Sequence, residues 1–320
     1  MASVEERLEL IKRNTVEIIS ENALKDLLEK KKKPVVYCGY EPSGAMHLGH
    51  FVTITKLIDL KKAGFTVKVL LADIHALLNR KGTEEEIKKE VQTWKKTIKA
   101  IGLDAEVVLG SDFQFKKDYL LDVMRLAQAT TLNRGLRSMQ EVGRDIENAT
   151  VSQAWYPLMQ AVDIKHLDCD VAYGGVEQRK IHMLALDMAE TLQHKPIIIH
   201  TPLINSLKGP GEKMSKSIPM SCIWVTDTAE AVKEKISKAY CPEKVADQNP
   251  IMEIFHLVIF PRITKLEIKR PAKFGGNISF KTYSELEETY TGGKLHPMDL
   301  KNSCADELNK ILDPVRKAYK

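Results

Sequence analysis

An open parallel α/β sheet, wound on both faces by helices and continued by a mainly helical second domain, is the fold class this 320-residue sequence predicts. Three observations predict it. Short apolar and β-branched runs alternate with stretches of helical period through the first two thirds of the chain. Several of these runs end in turn clusters, as strands do where they hand over to a crossover helix. After about Ser221 the runs give way to helix signals.

Val35-Val36-Tyr37-Cys38 reads as a short buried strand leading into the turn cluster Glu41-Pro42-Ser43-Gly44. From Gly49 a helix follows, with Phe51, Ile54, Leu57, Ile58 and Ala63 on one face, the spacing that a period of 3.6 requires. Val67 to Ala72 is a second strand. Thr83 and Glu86 form a capping-box pair that opens a helix through Trp94 and Ile98 to Ile101. Ala105 to Leu109 is a third strand, and a helical region runs from about Asp118 to Val162. Val171-Ala172-Tyr173, closed by Gly174-Gly175, is a fourth strand. A helix through Ile181, Leu184 and Met188 leads to a fifth, Pro196 to His200. Strand, crossover, strand implies parallel order, and ligands of such sheets sit beyond the carboxyl ends of the strands. The stretches to inspect are therefore 37–50, 72–75, 110–114 and 174–179.

A domain boundary is expected at 223, giving a first domain of 1–223 and a second of 224–320. In the second, Thr226-Asp227-Thr228 starts a helix to Tyr240, and the polar stretch from Cys241 to Pro250 reads as a linker. Ser284 with Glu287 is another capping-box pair. Pro297 suits the first turn of a last helix with Leu300, Cys304, Leu308, Ile311 and Val315 on one face.

Hydrophobic residues make up 43% and charged residues 28% of the chain, an ordinary globular mix with enough apolar material for a sizeable core. The net charge of +5 permits an anionic partner without requiring one. Five cysteines at long spacings, with no C-x-x-C pair, suggest neither a disulfide framework nor a zinc site; reduced thiols in a cytoplasmic protein are expected. The N-terminal stretch is charged and lacks an apolar core, so no secretory signal is expected. No run of eighteen apolar residues is present, so no membrane span is expected.

Two motifs carry chemistry. His47-Leu48-Gly49-His50 lies where the first strand hands over to a helix. A helix N-terminus offers N–H groups and a positive dipole end to phosphate. Gly49 lets a flat base approach the backbone, and the two histidines can donate to charge developing on a reacting phosphate. Gly209-Pro210-Gly211-Glu212 then leads into Lys213-Met214-Ser215-Lys216-Ser217. Two lysines on a turn-rich loop make a closing clamp for a leaving pyrophosphate. Either motif alone has a plainer reading, an incidental pair of histidines or a solvated Lys/Ser loop. Their order, at opposite ends of one nucleotide-binding fold, outweighs it.

These segments resemble the HIGH and KMSKS signatures of class I aminoacyl-tRNA synthetases, with Leu48 in place of isoleucine in the first. Further segments resemble the archaeal and eukaryotic type of tyrosyl-tRNA synthetase over nearly the whole chain. They are Gly39–Gly44, Leu71-Ala72-Asp73, Tyr156–Gln160, Glu177–His182, Lys273–Gly276 and Lys294–Asn302. The resemblance implies a Rossmann-like catalytic domain that activates L-tyrosine with ATP and Mg²⁺ and passes it to tRNA(Tyr), followed by an anticodon-binding domain. It also implies a homodimer.

By the resemblance, His47, Gly49, His50 and Lys216 meet ATP, with Lys213 joining His47, His50 and Lys216 in the chemistry. Tyr37 and Asp163 hold the phenol hydroxyl, which a carboxylate can accept and a tyrosine can bond in return. Tyr156, Gln160 and Gln178 hold the α-ammonium, and Leu70 and Leu167 wall the ring. Arg137 and Arg179 approach the acceptor end of the tRNA, and Phe274, His296 and Asp299 the anticodon. No residue set is assigned to a metal. Plainer readings stand beside these. Tyr37 can be a core tyrosine, Asp163 a helix cap, His182 a packed helix residue, Arg134, Arg137 and Arg144 a solvated basic face, and Asp299 a helix-terminal carboxylate. Three rivals remain: a tryptophanyl-tRNA synthetase, a synthetase-like RNA-binding protein without charging activity, and a HIGH-type nucleotidyltransferase that makes a small cofactor. The Tyr37/Asp163 pair, the intact lysines and histidines, and the Phe274–Asn302 segment argue against them in turn.

Overall fold

A computed structural model describes residues 2–143, 148–214, 218 and 220–319. The chain packs as two compact units. The first comprises Met1–Gly44, Lys56–Lys96 and Leu103–Pro202, and the second Ala45–Thr55, Thr97–Gly102 and Leu203–Lys320.

The first unit is built on a six-stranded sheet. Its strands are β1 Glu17–Ile19, β2 Val35–Tyr40, β3 Thr66–Leu71, β4 Glu106–Leu109, β5 Val171–Gly175 and β6 Ile197–Thr201. Their spatial order is β1-β6-β5-β2-β3-β4, with β2 to β6 parallel. The winding direction reverses between β2 and β5, which makes the carboxyl ends of these two strands the switch point. β1 is the strand that the pattern does not announce. It runs antiparallel along the edge of β6, with Glu17 opposite His200, and at three residues it is too short to show a period.

The chain carries helices α1 Val4–Lys12, α2 Glu21–Lys30, α3 Leu48–Lys62, α4 Asp73–Leu78, α5 Glu84–Ala100, α6 Lys117–Ala129, α7 Leu132–Ser138, α8 Val151–His166, α9 Arg179–Asp187 and α10 Ala189–Leu192 up to the end of β6. The Thr83 cap of α5 is as expected: its Oγ accepts from Glu86 N–H and the Glu86 carboxylate accepts from Thr83 N–H. The single helical region expected from about 118 to 162 is instead α6, α7 and α8. α6 ends at Thr130, and Thr131 starts α7 by accepting from Arg134 N–H. Two adjacent β-branched residues with competing hydroxyls favour such a break. α8 buries Tyr156, Leu158, Met159, Val162 and Asp163.

The second unit is helical with two small ribbons. β7 Asn205–Ser206 pairs with β8 Gly209–Lys213, and β9 Leu266–Ile268 with β10 Ile278–Phe280. Its helices are α11 Ala229–Lys238, α12 Pro250–Ile254, α13 Tyr283–Thr291 and α14 Pro297–Ala318. Thr228 caps α11, which packs along α14. On α14, Leu300, Cys304, Leu308 and Val315 are buried as expected, joined by Leu312, while Ile311 is only half-buried.

Two expectations for this unit need correction. The cap of α13 is Thr282 with Glu285, two residues before the Ser284/Glu287 pair. Both pairs fit the pattern, but Thr282 has the extended backbone that a cap requires and Ser284 is already helical. The stretch 241–250 is a packed loop and no linker. Tyr290 Oη donates to Pro242 O at 2.8 Å, and the buried Asn249 donates to Val245 O at 2.8 Å.

Candidate active site

Beside the switch point of the first unit, side chains of β2 and β3 pack with those of α8. Tyr37 and Leu70 enter from the strands and join one apolar cluster with Phe113, Tyr119, Met159, Val162 and Leu167. This places the predicted ring walls, Leu70 and Leu167, beside Tyr37. Asp163 closes the far end of the cluster at 0% exposure. Its Oδ1 accepts from Gln114 Nε2 and from Tyr119 Oη, each at 2.8 Å. Its Oδ2 has no hydrogen bond, and His75 Nε2 stands 3.5 Å away. Tyr37 Oη, on a side chain 1% exposed, is likewise buried without a hydrogen bond of good geometry, with Gln160 the polar side chain facing it.

The electrostatics follow from burial. Desolvation pushes the Asp163 carboxyl up to about 7, against the opposing bonds from Gln114 and Tyr119. Desolvation also pushes His75 down to about 4, so its imidazole is neutral near pH 7. Tyr37 is held well above the ordinary phenol range by burial and then by the charge of Asp163. A neutral His75, ring edge-on to Tyr156 at 4.6 Å, leaves Asp163 without a full positive charge beside it. Two orphaned buried oxygens cost about 1–3 kcal/mol each. A ligand hydroxyl that bonds both removes that penalty.

Near the other end of the cluster, Gln160 Nε2 donates to Gln178 Oε1 at 3.2 Å. Tyr156 is buried, and its hydroxyl bonds the Glu41 carboxylate, which also accepts from Asn79 at 2.9 Å. Glu177 adjoins Gln178. Carboxylates and amide oxygens in this array suit an ammonium group. The structure thus brings Tyr37, Leu70, Tyr156, Gln160, Asp163 and Gln178 to one end of one sheet. His75, Gln114 and Tyr119 carry no individual signal in the sequence, although 72–75 and 110–114 follow strands whose carboxyl ends point to a ligand. Gly110 has a role of its own. A Cβ there would lie 2.6 Å from Gln114 Oε1 and 2.9 Å from Asp73 Oδ1, so the glycine makes room for the Gln114 side chain that bonds Asp163.

In the second unit, His47 and His50 start α3 with a reciprocal cap. His47 Nδ1 accepts from Gly49 N–H, and His50 Nδ1 accepts from His47 N–H, each at 3.1 Å. With Nδ1 accepting, a neutral ring carries its proton on Nε2. His47 is therefore preset as an Nε2–H donor; His50 Nδ1 also lies 3.3 Å from His47 O, so either tautomer of its ring finds a partner there. The first-turn N–H groups are not the open anion site that the sequence suggests. Leu48 N–H donates to Ile223 O and His50 N–H to His47 O, so the ring nitrogens take over the role of donor. The space of a Cβ at Gly49 is filled by the His47 ring, 2.8 Å from where that atom would lie. Lys213 is the last residue of β8; Lys216 and Arg144 lie outside the described residues. Among the described residues no group of three or more His, Cys, Asp or Glu is placed to hold a metal.

The residues assigned to nucleic acid are on the surface. Arg137 is exposed on α7, and Arg134 is ion-paired with Asp187. Arg179 starts α9, half-exposed and paired with Glu17. In the second unit Phe274 is 60% exposed, with Lys273 Nζ 5.0 Å from its ring centre. His296 caps α14 through Met298 N–H, and Asp299 sits in its first turn. Arg270, which carries no signal in the sequence, ties these two places together by donating to Gly276 O and Lys294 O, each at 2.9 Å.

The model of the family described as tRNA synthetases class I (W and Y) matches residues 29–313. The tyrosine–tRNA ligase of Methanosarcina barkeri is 51% identical over 316 residues, covering 98% of this chain and 99% of the relative. The tyrosyl-tRNA synthetase of Archaeoglobus fulgidus, solved in complex with L-tyrosine, superposes with a TM-score of 0.96 at 49% identity, covering 99% of this chain and 100% of that one. That of Pyrococcus horikoshii, also with L-tyrosine, gives 0.92 at 32% identity, covering 99% and 96%. No helix among the described residues is long and apolar enough to cross a membrane. The chain belongs to the class I tRNA synthetases of the tryptophan and tyrosine family, and within it to the tyrosyl-tRNA synthetases of the archaeal and eukaryotic type.

Proposed function

We propose that this chain is a tyrosine–tRNA ligase, which joins L-tyrosine to the 3′ end of tRNA(Tyr) at the expense of ATP. One observation carries the choice of amino acid: Tyr37 Oη and Asp163 Oδ2 are both buried and both lack a hydrogen bond. A phenol O–H donates to the carboxylate and accepts from Tyr37, satisfying both. The indole of tryptophan has a donor and no acceptor, and the ring of phenylalanine has neither. A site built this way rejects the analogue without the hydroxyl by about 10⁴–10⁵, a magnitude already established for this class of enzyme.

In the first step a tyrosine carboxylate oxygen attacks the ATP α-phosphorus and pyrophosphate leaves, giving tyrosyl-adenylate. A ribose hydroxyl of the tRNA then attacks the carbonyl, and AMP leaves. No base is needed for the first step, which runs on positioning and charge stabilisation. His47 and His50 supply ring N–H donors to the phosphates, and Lys213 and Lys216 hold the departing pyrophosphate. Tyr156, Gln160 and Gln178 fix the α-ammonium. Magnesium arrives with the ATP phosphates as part of the substrate, in keeping with its preference for phosphate oxygens and water; no step is assigned to it.

Residues 1–223 serve as the catalytic domain and 224–320 as the anticodon-binding domain. Arg137 and Arg179 take the acceptor end, and Phe274, His296 and Asp299 the anticodon. An exposed ring for stacking beside a carboxylate that accepts amino protons suits an unstacked base. Exposed Phe115, Leu121 and Met124 support a homodimer, and free cysteines a cytoplasmic setting. Amino-acid-dependent pyrophosphate exchange tests the central reading. Exchange with tyrosine alone among tyrosine, tryptophan and phenylalanine is the expected result, and exchange with tryptophan alone would overturn it.

A further inference from the structure

A hydrogen-bonded circuit links four side chains of the first unit that the reaction scheme leaves unused apart from Arg179. Glu17, on the antiparallel edge strand β1, receives Arg179 on two atoms: Nε at 2.9 and 3.1 Å and Nη2 at 3.0 Å. The same carboxylate meets His200 Nδ1 at 2.9 Å, and His200 Nε2 meets His182 Nδ1 at 2.9 Å. Glu17 and His200 are cross-strand partners, so the sheet register itself sets them side by side. His182 lies one turn after Arg179 on α9, and the helix backbone closes the ring.

The direction of the hydrogen bonds is determined. Bonds from Arg179 hold Glu17 below the ordinary carboxylate range, so it is ionised and only accepts. His200 must then give its Nδ1–H. Buried and neutral, it accepts at Nε2, so His182 gives its own Nδ1–H. A one-way chain of donors therefore runs from the core to Glu17, and the guanidinium is the most exposed member of the circuit, 48% against 29% for Glu17. Glu17 engages the Nε and Nη2 side of Arg179 and leaves Nη1 outside these bonds. A guanidinium fixed on one edge presents its other edge in a set orientation, which is what bidentate recognition of a phosphate or a purine edge requires.

We propose that Glu17, itself braced by His200 and His182, is a positioning residue that orients Arg179 toward the acceptor end of the tRNA. This rests on the reading that Arg179 meets the acceptor end. The strand that carries Glu17 thus has a part in RNA recognition without touching RNA.

The test compares Glu17→Gln, Glu17→Asp, Arg179→Ala and the double variant Glu17→Gln/Arg179→Ala in full-length protein. Tyrosine-dependent pyrophosphate exchange is measured alongside charging of a tRNA with its native or a swapped first acceptor pair. The expected result for Glu17→Gln is a KM for tRNA raised about tenfold, weaker discrimination between the two tRNAs, and exchange within about twofold of the parent. Glu17→Asp, which keeps the charge but withdraws it by one methylene, is expected to fall between. The double variant is expected to be no worse than Arg179→Ala, because the carboxylate acts only through that side chain. If Arg179→Ala impairs charging while Glu17→Gln charges like the parent, or if Glu17→Gln loses exchange in step with charging, positioning by Glu17 is refuted. If Arg179→Ala charges normally, the assignment of Arg179 to the acceptor end falls, and this proposal with it.

Discussion

Asp163 is a carboxyl group with one oxygen bonded, one bare, and no solvent. Its raised value of about 7 has a consequence for stability. A group whose folded value lies above its unfolded one, near 4, stabilises the fold fully below the unfolded value, and that stabilisation is lost as pH rises through the folded one. The Asp163 contribution is therefore expected to fall between pH 5 and pH 8, and Asp163→Asn to remove that fall, so that the variant's melting temperature rises relative to the parent's as pH increases. Thermal melts of both proteins across this range check it; an Asn variant with the parent's slope would place the titration elsewhere. His75 and His182, whose folded values lie below the ordinary imidazole value, contribute in the opposite sense, gaining stability as pH rises toward that value, so the difference between the parent and the Asn variant is what isolates Asp163. Gln160 and Gln178 are named by the sequence because they sit in recognisable segments, and Tyr37 and Asp163 because they lie just beside such segments. Tyr119 is not. A buried tyrosine on an amphipathic helix looks like any core aromatic until the fold sets its hydroxyl 2.8 Å from a carboxylate. Gly110 was equally silent, since what it makes room for lies four residues on and 37 residues back in the chain.

Elements with a long period and a local cap were read well, and those defined by a partner were not. Thr83 and Glu86 announce α5 because both halves of the cap are local. At α13 the same logic offers two frames two residues apart, and only backbone conformation chooses Thr282. Thr282→Ala is accordingly expected to destabilise the protein by about 1 kcal/mol, and Ser284→Ala by much less. Urea unfolding of the two variants separates them, and equal losses would contradict the assigned cap. β1 belongs to the other kind. Nothing in Glu17-Ile18-Ile19 distinguishes a strand from a loop; its pairing with β6 makes it one.

At the scale of the molecule, recognition of the two ends of a tRNA is assigned to surfaces far apart in the sequence. Asp299→Ala is expected to weaken charging of native tRNA by about 1–3 kcal/mol while leaving tyrosine-dependent pyrophosphate exchange intact. Assays with native tRNA and with one altered at the first anticodon base check this; a variant that still separates the two as the parent does leaves Asp299 a helix-terminal carboxylate. The expected boundary at 223 came from a change in pattern along the chain, but compactness is a property of contacts, and the chain passes between its two units five times. The start of α3 is knitted into the second unit: Leu48 N–H bonds Ile223 O, Val225 N–H bonds Met46 O, and His47 bridges to Trp224. Modularity is limited accordingly. A chimera that exchanged only the chain after residue 203 for that of a distant homologue would graft a foreign partner onto the native 45–55 segment. That segment carries both histidines, so a graft meant to change which tRNA is read would disturb the chemistry as well. A graft that carries 45–55 and 97–102 along with it respects the seam along which this protein is divided.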